Sequence, residues 1–514
     1  MLRLSLVLAA AFLARLLVAW RTPLIDHDGA FYMELAAALR AGDLHLGLST
    51  IWPPLYPALV ALASFVTGFD PAHPDPLALE RAARLVSVTA GTGVVAAVHA
   101  LARRSVGERV AMIAAVLAAF HPRLLQYSAA TLAESCFMLA LLAGLALLAA
   151  VKTSLSVRTA SWSVPAAGAA FGLSYLARPE GMLLALTALA FARVPGWARR
   201  AGFLGALLLT VLPYLHWMHG EIGAFTLGEK GGYNLWRAFR EEYRDVDPGY
   251  AATVSRFAES RELESRTPRS TVRVFDLVRA APGALVVKSL GRLARLVFET
   301  LPLATHWPWF VLGVLGWRAW RQPGLAPSLA VLVTMLLLYA PFSVDRRFLV
   351  PAVPLLLIAA ATFLESGLAA AGWRRRASTL LVLALGIGGF VYAYAGARRD
   401  DAPEHRVAGA WLANWSKDQR LERPIVMSRK TWVAFYSGGR IAELPDGNAD
   451  AVRARIAGNG TDVLIVDERW AVATRPALAP FLDPRNAPAG FVPLHEITAP
   501  KRLVIYDVRG LRPR

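Results

Sequence analysis

From its N-terminus to about Ala395 the chain repeats one pattern, an apolar run of about fifteen to twenty residues closed by a short polar break, and then the pattern stops. A helix needs roughly 20 such residues to cross a hydrocarbon layer of about 30 Å. Of the 514 residues, 56% are hydrophobic and 18% charged, against roughly 25% charged in soluble domains. The chain therefore reads as a polytopic α-helical membrane protein with a soluble tail. About eleven transmembrane helices are expected, over 2–20, 82–102, 108–124, 132–151, 162–177, 181–195, 201–217, 301–317, 325–342, 347–365 and 377–396. The first run ends Val18-Ala19-Trp20-Arg21 without a small-x-small cleavage site, so it is read as a retained span.

The arginines orient these spans. Basic clusters fall at Arg103, Arg104 and Arg109, at Lys152 and Arg158, at Arg193, Arg199 and Arg200, at Arg318 and Arg321, and at Arg374-Arg375-Arg376. All of them are cytoplasmic if the N-terminus is cytoplasmic, which satisfies the positive-inside rule. The condition is that 54–69 does not cross. Pro53, Pro54 and Pro57 stand at its start and it holds only about sixteen apolar-leaning residues, so an interfacial or re-entrant segment is expected. The external side then receives the loop 21–81, the turn 121–131, the long loop 218–300, the turns Arg178-Pro179-Glu180 and 343–347, and the C-terminus.

Within the loop 218–300, Gly228-Glu229-Lys230-Gly231-Gly232 reads as a hinge, and Tyr233-Asn234-Leu235-Trp236 offers aromatic and amide groups. Leu285 to Leu296 carries Lys288, Arg292 and Arg295 at helical spacing, the mark of an interfacial amphipathic helix. Long structured loops of this kind serve as lids or binding loops. From about Arg398 the composition changes. Val407 to Trp415 and Ala449 to Ile456 suit helices, while Pro424 to Met427, Asp462 to Val466 and Leu503 to Tyr506 suit strands. Residues 1–396 are thus expected to form a membrane domain and 397–514 a small external α/β domain, without a glycine-rich phosphate fingerprint.

The net charge of +18 is dispersed over short loops, with no basic-aromatic stripe or reading motif, and nucleic acid is excluded as a partner. The single cysteine, Cys136, lies in an apolar run and allows neither an internal disulfide nor a cysteine metal site.

Asp26-His27-Asp28 directly follows the first span. Ionisable groups beside hydrocarbon are costly, and where they occur they tend to mark a site. Asp28 has two readings: the N-cap of a helix opened by Gly29-Ala30-Phe31-Tyr32, or a functional carboxylate with Asp26 beside it. Glu134 is similar. Thr131-Leu132-Ala133-Glu134 is a capping-box pattern, yet the topology puts Glu134 on the same side as Asp28. Two carboxylates converging there would bind an acceptor hydroxyl or a divalent cation. Arg178, Arg346 and Arg347 lie on the side poor in basic residues. They either snorkel to lipid phosphate or pair with Glu180 or Asp345, or they clamp a substrate phosphate. His121, before Pro122 at a span end, is either a plain interfacial histidine or a ligand.

At these residues the chain resembles the bacterial GT-C glycosyltransferases, membrane enzymes that take sugars from polyprenyl-phosphate carriers and include protein mannosyltransferase-like and aminoarabinose transferase-like members. The resemblance is carried by Asp28-Gly29-Ala30-Phe31-Tyr32 and Gly42, Pro53-Pro54-Leu55-Tyr56-Pro57, His121-Pro122 through Glu134, Arg178-Pro179-Glu180-Gly181 and Arg347-Phe348-Leu349-Val350-Pro351. It covers most of residues 1–365. It implies a GT-C-like fold in a bacterial inner membrane and transfer of a single sugar, with inversion, from a polyprenyl-phosphate-linked donor to an acceptor hydroxyl on the periplasmic face. The acceptor would be a glycolipid, a polysaccharide or a protein. By the resemblance Asp28 and Glu134 are the acidic residues implicated in catalysis, with Asp28 as general base. Asp26, Tyr32, Pro54, Tyr56, His121, Tyr233 and Asn234 are the expected substrate-binding set, and Arg178, Arg346 and Arg347 the donor-phosphate set. The cofactor the resemblance allows is a divalent metal ion at Asp28 and Glu134. Aminoarabinose transferase-like members carry a lysine just before the proline motif for the carrier phosphate; here the sequence reads Ile51-Trp52-Pro53, which leaves that task to arginines. Two other classes remain open, a transporter or flippase for a lipid-linked sugar and a non-catalytic envelope assembly protein. A transporter would show ionisable residues within spans and inverted repeats.

Overall fold

Every apolar run marked above as a span is helical over most of its length in the structure, a computed structural model that describes residues 2–153, 157–223, 226–228, 234, 238–239, 279, 281–342, 345–398 and 402–512. In chain order the helices are α1 (Leu2–Arg21), α2 (His27–Arg40), α3 (Leu44–Gly47), α4 (Leu55–Thr67), α5 (Pro76–Ser105), α6 (Glu108–Phe120), α7 (Pro122–Ala129), α8 (Glu134–Thr153), α9 (Val157–Ala177), α10 (Gly181–Phe191) and α11 (Trp197–Ile222). They continue with α12 (Pro282–Arg295), α13 (Leu301–Thr305), α14 (Trp307–Leu315), α15 (Ala326–Tyr339), α16 (Val353–Leu368) and α17 (Trp373–Gly396). Among the described residues, 6 helices are long and apolar enough to cross a membrane alone, or 7 if the bent pair α6–α7 counts as one. The runs at 181–195, 301–317 and 325–342 form shorter or broken helices.

Helix α4 has 13 residues, roughly 20 Å at 1.5 Å per residue, too short to cross. One face, with Tyr56, Val60 and Ser64, is buried, while Leu62, Phe65 and Val66 are exposed, as an interfacial helix requires. α12 buries none of its residues and is tied down through Arg292, which donates to the Pro341 carbonyl at 2.7 Å.

A buried arginine shapes the bend. Arg15 in α1 is fully buried, which is costly unless its donors are satisfied. It donates to the Ala119 carbonyl at 3.0 Å and, at 3.1 Å each, to the Ala118 carbonyl, the Ala11 carbonyl and the Ser128 hydroxyl. Pro122 offers no N–H to continue α6, so the Ala118 carbonyl would otherwise be orphaned. The chain bends there by 55°. His121 sits at the bend and its Nε2 bonds the Thr305 carbonyl at 2.9 Å. Thr305 ends α13, the first half of a second broken helix, so the two breaks are tied together.

Beyond the last membrane helix stand α18 (Pro403–Asp418), β1 (Ile425–Ser428), α19 (Trp432–Tyr436), β2 (Arg440–Glu443), α20 (Ala449–Asn459), β3 (Val463–Asp467), β4 (Val492–Ile497) and β5 (Leu503–Asp507). The sheet order is β2-β1-β3-β5-β4. β1 runs parallel to β2 and β3, and β5 runs antiparallel to β3 and β4. The central strand β3, parallel to β1 and antiparallel to β5, is buried along its whole length, as a strand covered on both faces should be.

Beside β3 lies a buried charge cluster. His405 has Glu404 3.8 Å from Nδ1 and Asp467 3.8 Å from Nε2, and Arg469 is 3.6 Å from Glu404. At 3.8 Å these are charge contacts and not hydrogen bonds. Burial by itself would lower the His405 pKa, but the Asp467 and Glu404 carboxylates outweigh it and hold the imidazole above its usual 6.5. The folded state therefore favours the proton. The stability this adds is full below about pH 6.5 and is lost as pH rises through the raised folded value. Thermal melting followed by tryptophan signal should show the midpoint of the C-terminal unit falling above that pH, with the slope removed in His405→Gln. The same slope in that variant would assign the effect elsewhere.

Candidate active site

The segment after α1 cannot prolong the helix because Pro23 follows, and it runs without regular structure, bending at Leu24, until α2 begins at His27. Asp28 is thus in the first turn of α2 and is not its N-cap; Asp26 holds the cap position, with φ −72° and ψ 153°, but makes no side-chain cap. Its carboxylate crosses instead to the turn after α7, where Oδ2 accepts from the Thr131 amide at 2.8 Å, and the Asp26 amide donates to the Thr131 hydroxyl at 3.0 Å. Thr131, read as part of a capping box, is used here. Gly29 makes this approach possible, since a Cβ at that position would fall 2.1 Å from the Thr131 Oγ1. Burial pushes the Asp26 carboxyl above its ordinary range, against the Thr131 amide bond and the Arg347 charge.

Arg347 joins two turns far apart in sequence. It is the second residue of a 3₁₀ segment, Arg346–Ala352, whose preceding Asp345 accepts from the Arg347 amide at 2.9 Å. Its Nη1 donates to Asp28 Oδ2 at 2.7 Å and its Nε to Glu134 Oε1. Glu134 opens α8 and also accepts from Arg178 Nη1 at 2.8 Å. Arg178 Nε donates to Glu180 Oε1 at 2.5 Å, and the Tyr339 hydroxyl donates to the same oxygen at 2.7 Å. The result is a line of alternating charge, Asp28, Arg347, Glu134, Arg178, Glu180. Burial opposes charge on Arg178, but the Glu180 and Glu134 carboxylates raise its pKa above the ordinary value; burial likewise opposes charge on Glu180, and Arg178 holds it below the ordinary value.

Exposure separates the members. The side chain of Glu134 is 0% accessible and that of Arg178 12%, whereas Asp28 and Arg347 are 23% and 24% accessible. The reachable end of the line is Asp28 with Arg347. Arg178 is committed to the ion pair with Glu180 that the sequence allowed as an alternative. Arg346 is exposed. Asp28 and Glu134, the expected pair for a divalent metal ion, are bridged here by the Arg347 guanidinium, and among the described residues no three His, Cys, Asp or Glu side chains gather as metal ligands.

Aromatic groups back the site. Tyr32 is buried, edge-on to Trp52 at 5.1 Å and to Tyr56 at 5.2 Å, and Phe31 stacks on Trp52 at 5.7 Å. Tyr56 is fully buried and bonds the Ser87 hydroxyl at 3.0 Å and the Ala83 carbonyl at 3.1 Å, so it supports α4 on α5. Pro54 is half-buried at the start of α4. His121 is fully buried at the tied helix breaks and is not in the line of charge. Asn234 is half-buried, and Tyr233 and most of the expected hinge lie outside the described residues.

Residues 53–218 match the sequence model of a family described as dolichyl-phosphate-mannose-protein mannosyltransferase. The structure resembles ArnT from Cupriavidus metallidurans bound to undecaprenyl phosphate, with a TM-score of 0.59 at 15% identity over 99% of each chain. It also resembles the oligosaccharyltransferase AglB from Archaeoglobus fulgidus, in complex with an inhibitory peptide and a dolichol-phosphate, with a TM-score of 0.59 at 14% identity over 90% of this chain and 69% of the other. The fold is GT-C. No curated protein matches the chain by sequence. In this GT-C fold the matched span 53–218 contains Glu134 and Arg178, while Asp28 and Arg347 fall outside it.

Three features around the candidate site were not read from the sequence. Thr131 anchors Asp26, and the Asp28-Gly29 pair was its signal. Glu80 and Arg84, one helical turn apart in α5, form an ion pair in which Arg84 Nη2 and Nε both donate to Glu80 Oε1, at 2.7 and 2.9 Å, a charged pair inside an apolar helix. The third is a contact from α19, where Trp432 Nε1 donates to the Ile25 carbonyl at 2.7 Å, and it had no local signal at all.

Proposed function

We propose that this protein is a membrane glycosyltransferase that moves a single sugar from a polyprenyl-phosphate donor to an acceptor hydroxyl on the periplasmic face. One observation carries the reading: Asp28 and Glu134, from separate turns, meet on one guanidinium, and of the two only Asp28 reaches the surface. The acceptor oxygen attacks the anomeric carbon while the bond from that carbon to the carrier phosphate breaks, its electron pair leaving with the phosphate. Asp28 takes the acceptor proton. Arg347, whose Nη2 has no hydrogen bond among the described residues, and exposed Arg346 offset the charge that grows on the leaving phosphate. Glu134 acts from behind, fixing both Arg347 and Arg178. Positioning contributes more than proton transfer, because the reactants meet in one geometry.

The transporter reading is weaker on this structure. Among the described residues, buried Arg15 in α1 has its donors engaged by carbonyls and a hydroxyl, and buried Glu80 in α5 is paired with Arg84, so both span charges are held in structural contacts.

Mass analysis of the lipid that copurifies tests the proposal. A polyprenyl monophosphate, or its sugar derivative, is expected. Arg346→Ala should weaken its retention about tenfold, the size of one charge-assisted hydrogen bond. Recovery of ordinary phospholipid alone, with no effect of the substitution, would count against it.

A further inference from the structure

The segment that delivers Asp28 is gripped residue by residue from two sides. Arg84 Nη2 donates to the Leu24 carbonyl at 3.1 Å, and Thr131 holds Asp26. The alternate residues belong to the C-terminal unit. Arg406 Nη1 donates to the Pro23 carbonyl at 2.8 Å. Trp432 Nε1 donates to the Ile25 carbonyl at 2.7 Å, while the Ile25 amide donates to the Tyr436 hydroxyl at 3.3 Å. The Thr431 hydroxyl donates to the His27 carbonyl at 3.2 Å. Side chains thus take up backbone groups at each position from Pro23 to His27.

The grip is itself anchored. The Tyr436 hydroxyl donates to buried Glu80 at 3.3 Å, and Glu80 is bonded to Arg84. Trp432 packs edge-on against His405 at 5.2 Å and against Trp470 at 4.8 Å. Trp432 thus couples the charge cluster beside β3 to a carbonyl three residues before Asp28.

We infer that the C-terminal unit is a working part of the active site, with Thr431 and Trp432 as positioning residues that set the Asp28 carboxylate through the backbone of Ile25 and His27. The inference rests on Asp28 being the base, as proposed above. Misplacing a catalytic group by about 1 Å costs on the order of 100-fold in rate, so loss of either donor should appear in turnover before it appears in binding.

The test uses the full chain in lipid with three variants. Trp432→Phe keeps an aromatic ring against His405 and Trp470 but removes the N–H. Thr431→Val keeps the shape but removes the hydroxyl, and Thr431→Ser restores it. Turnover in Trp432→Phe and Thr431→Val should fall about tenfold or more, with KM for the donor unchanged, and Thr431→Ser should recover most of the loss. Normal turnover in both deleted-donor variants would overturn the inference. So would a loss that Thr431→Ser does not repair, since that is plain destabilisation. A second readout does not depend on activity: amide exchange at residues 22–28 should quicken in the two deleted-donor variants while exchange in β1, β3 and β5 stays as in the wild type. If the wild type transfers no sugar but the exchange result holds, the functional proposal fails and the clamp stands; unchanged exchange at 22–28 sinks the clamp alone.

Discussion

Asp28→Asn should lower sugar transfer by about a thousandfold or more while leaving the protein inserted and folded. The amide is the same size and its oxygen can still accept from Arg347 Nη1, which now lies 2.7 Å from the carboxylate. What is lost is the capacity to take a proton, worth about 10²–10⁴ in rate for a placed base, together with a charge facing Arg347. The effect belongs in kcat. Retention of the carrier lipid should be unchanged, because the phosphate is assigned to arginine. A melting midpoint close to the wild-type value with turnover gone is the expected pair of results. Near-normal turnover would remove Asp28 from the mechanism.

Arg347→Gln is expected to damage stability and activity together. Glu134 has no accessible surface and is held by two guanidinium groups, Arg347 and Arg178. Breaking a buried ion pair by removing one partner typically costs about 3–5 kcal/mol, since the other charge stays buried. Adding Glu134→Gln should return part of that stability, because the stranded charge is gone, yet activity should stay lost because Asp28 is no longer oriented. Arg346→Gln, exposed beside it, should melt as the wild type does. If Arg347→Gln also melts as the wild type, the line of charge is not holding the turns together.

Much of this architecture was legible in the chain. The apolar runs are long and uniform, so the helices they form were legible, while 6 or 7 of the eleven expected spans are long and apolar enough to cross among the described residues, and Pro53, Pro54 and Pro57 stand at the start of a helix of 13 residues. Arginine placement collected Asp28, Glu134, Arg178 and Arg347 on one side before any coordinates. Pairing was less legible. Asp28-Gly29 looked like a helix cap because local sequence cannot show that α2 starts two residues earlier and that Asp26 turns to Thr131. β2 and β4 were missed for physical reasons: β2 is a four-residue strand after Gly438-Gly439, and β4 carries Pro493 and two polar residues on the sheet edge, where proline is tolerated. His121 looked like a site residue because it stands at a span end, but its partner is a carbonyl at a second helix break, a contact that only tertiary structure reveals. The α19 clamp had no local signature either.

The most direct test follows the bond that is meant to break. Protein in liposomes is given a polyprenyl-phosphate sugar labelled in the sugar, with envelope extract as acceptor, and free carrier monophosphate is measured beside labelled product. Wild-type protein should release the carrier in step with product, and Asp28→Asn should do neither. Label that changes leaflet while still attached to its carrier, or equal release by both proteins, would contradict the account.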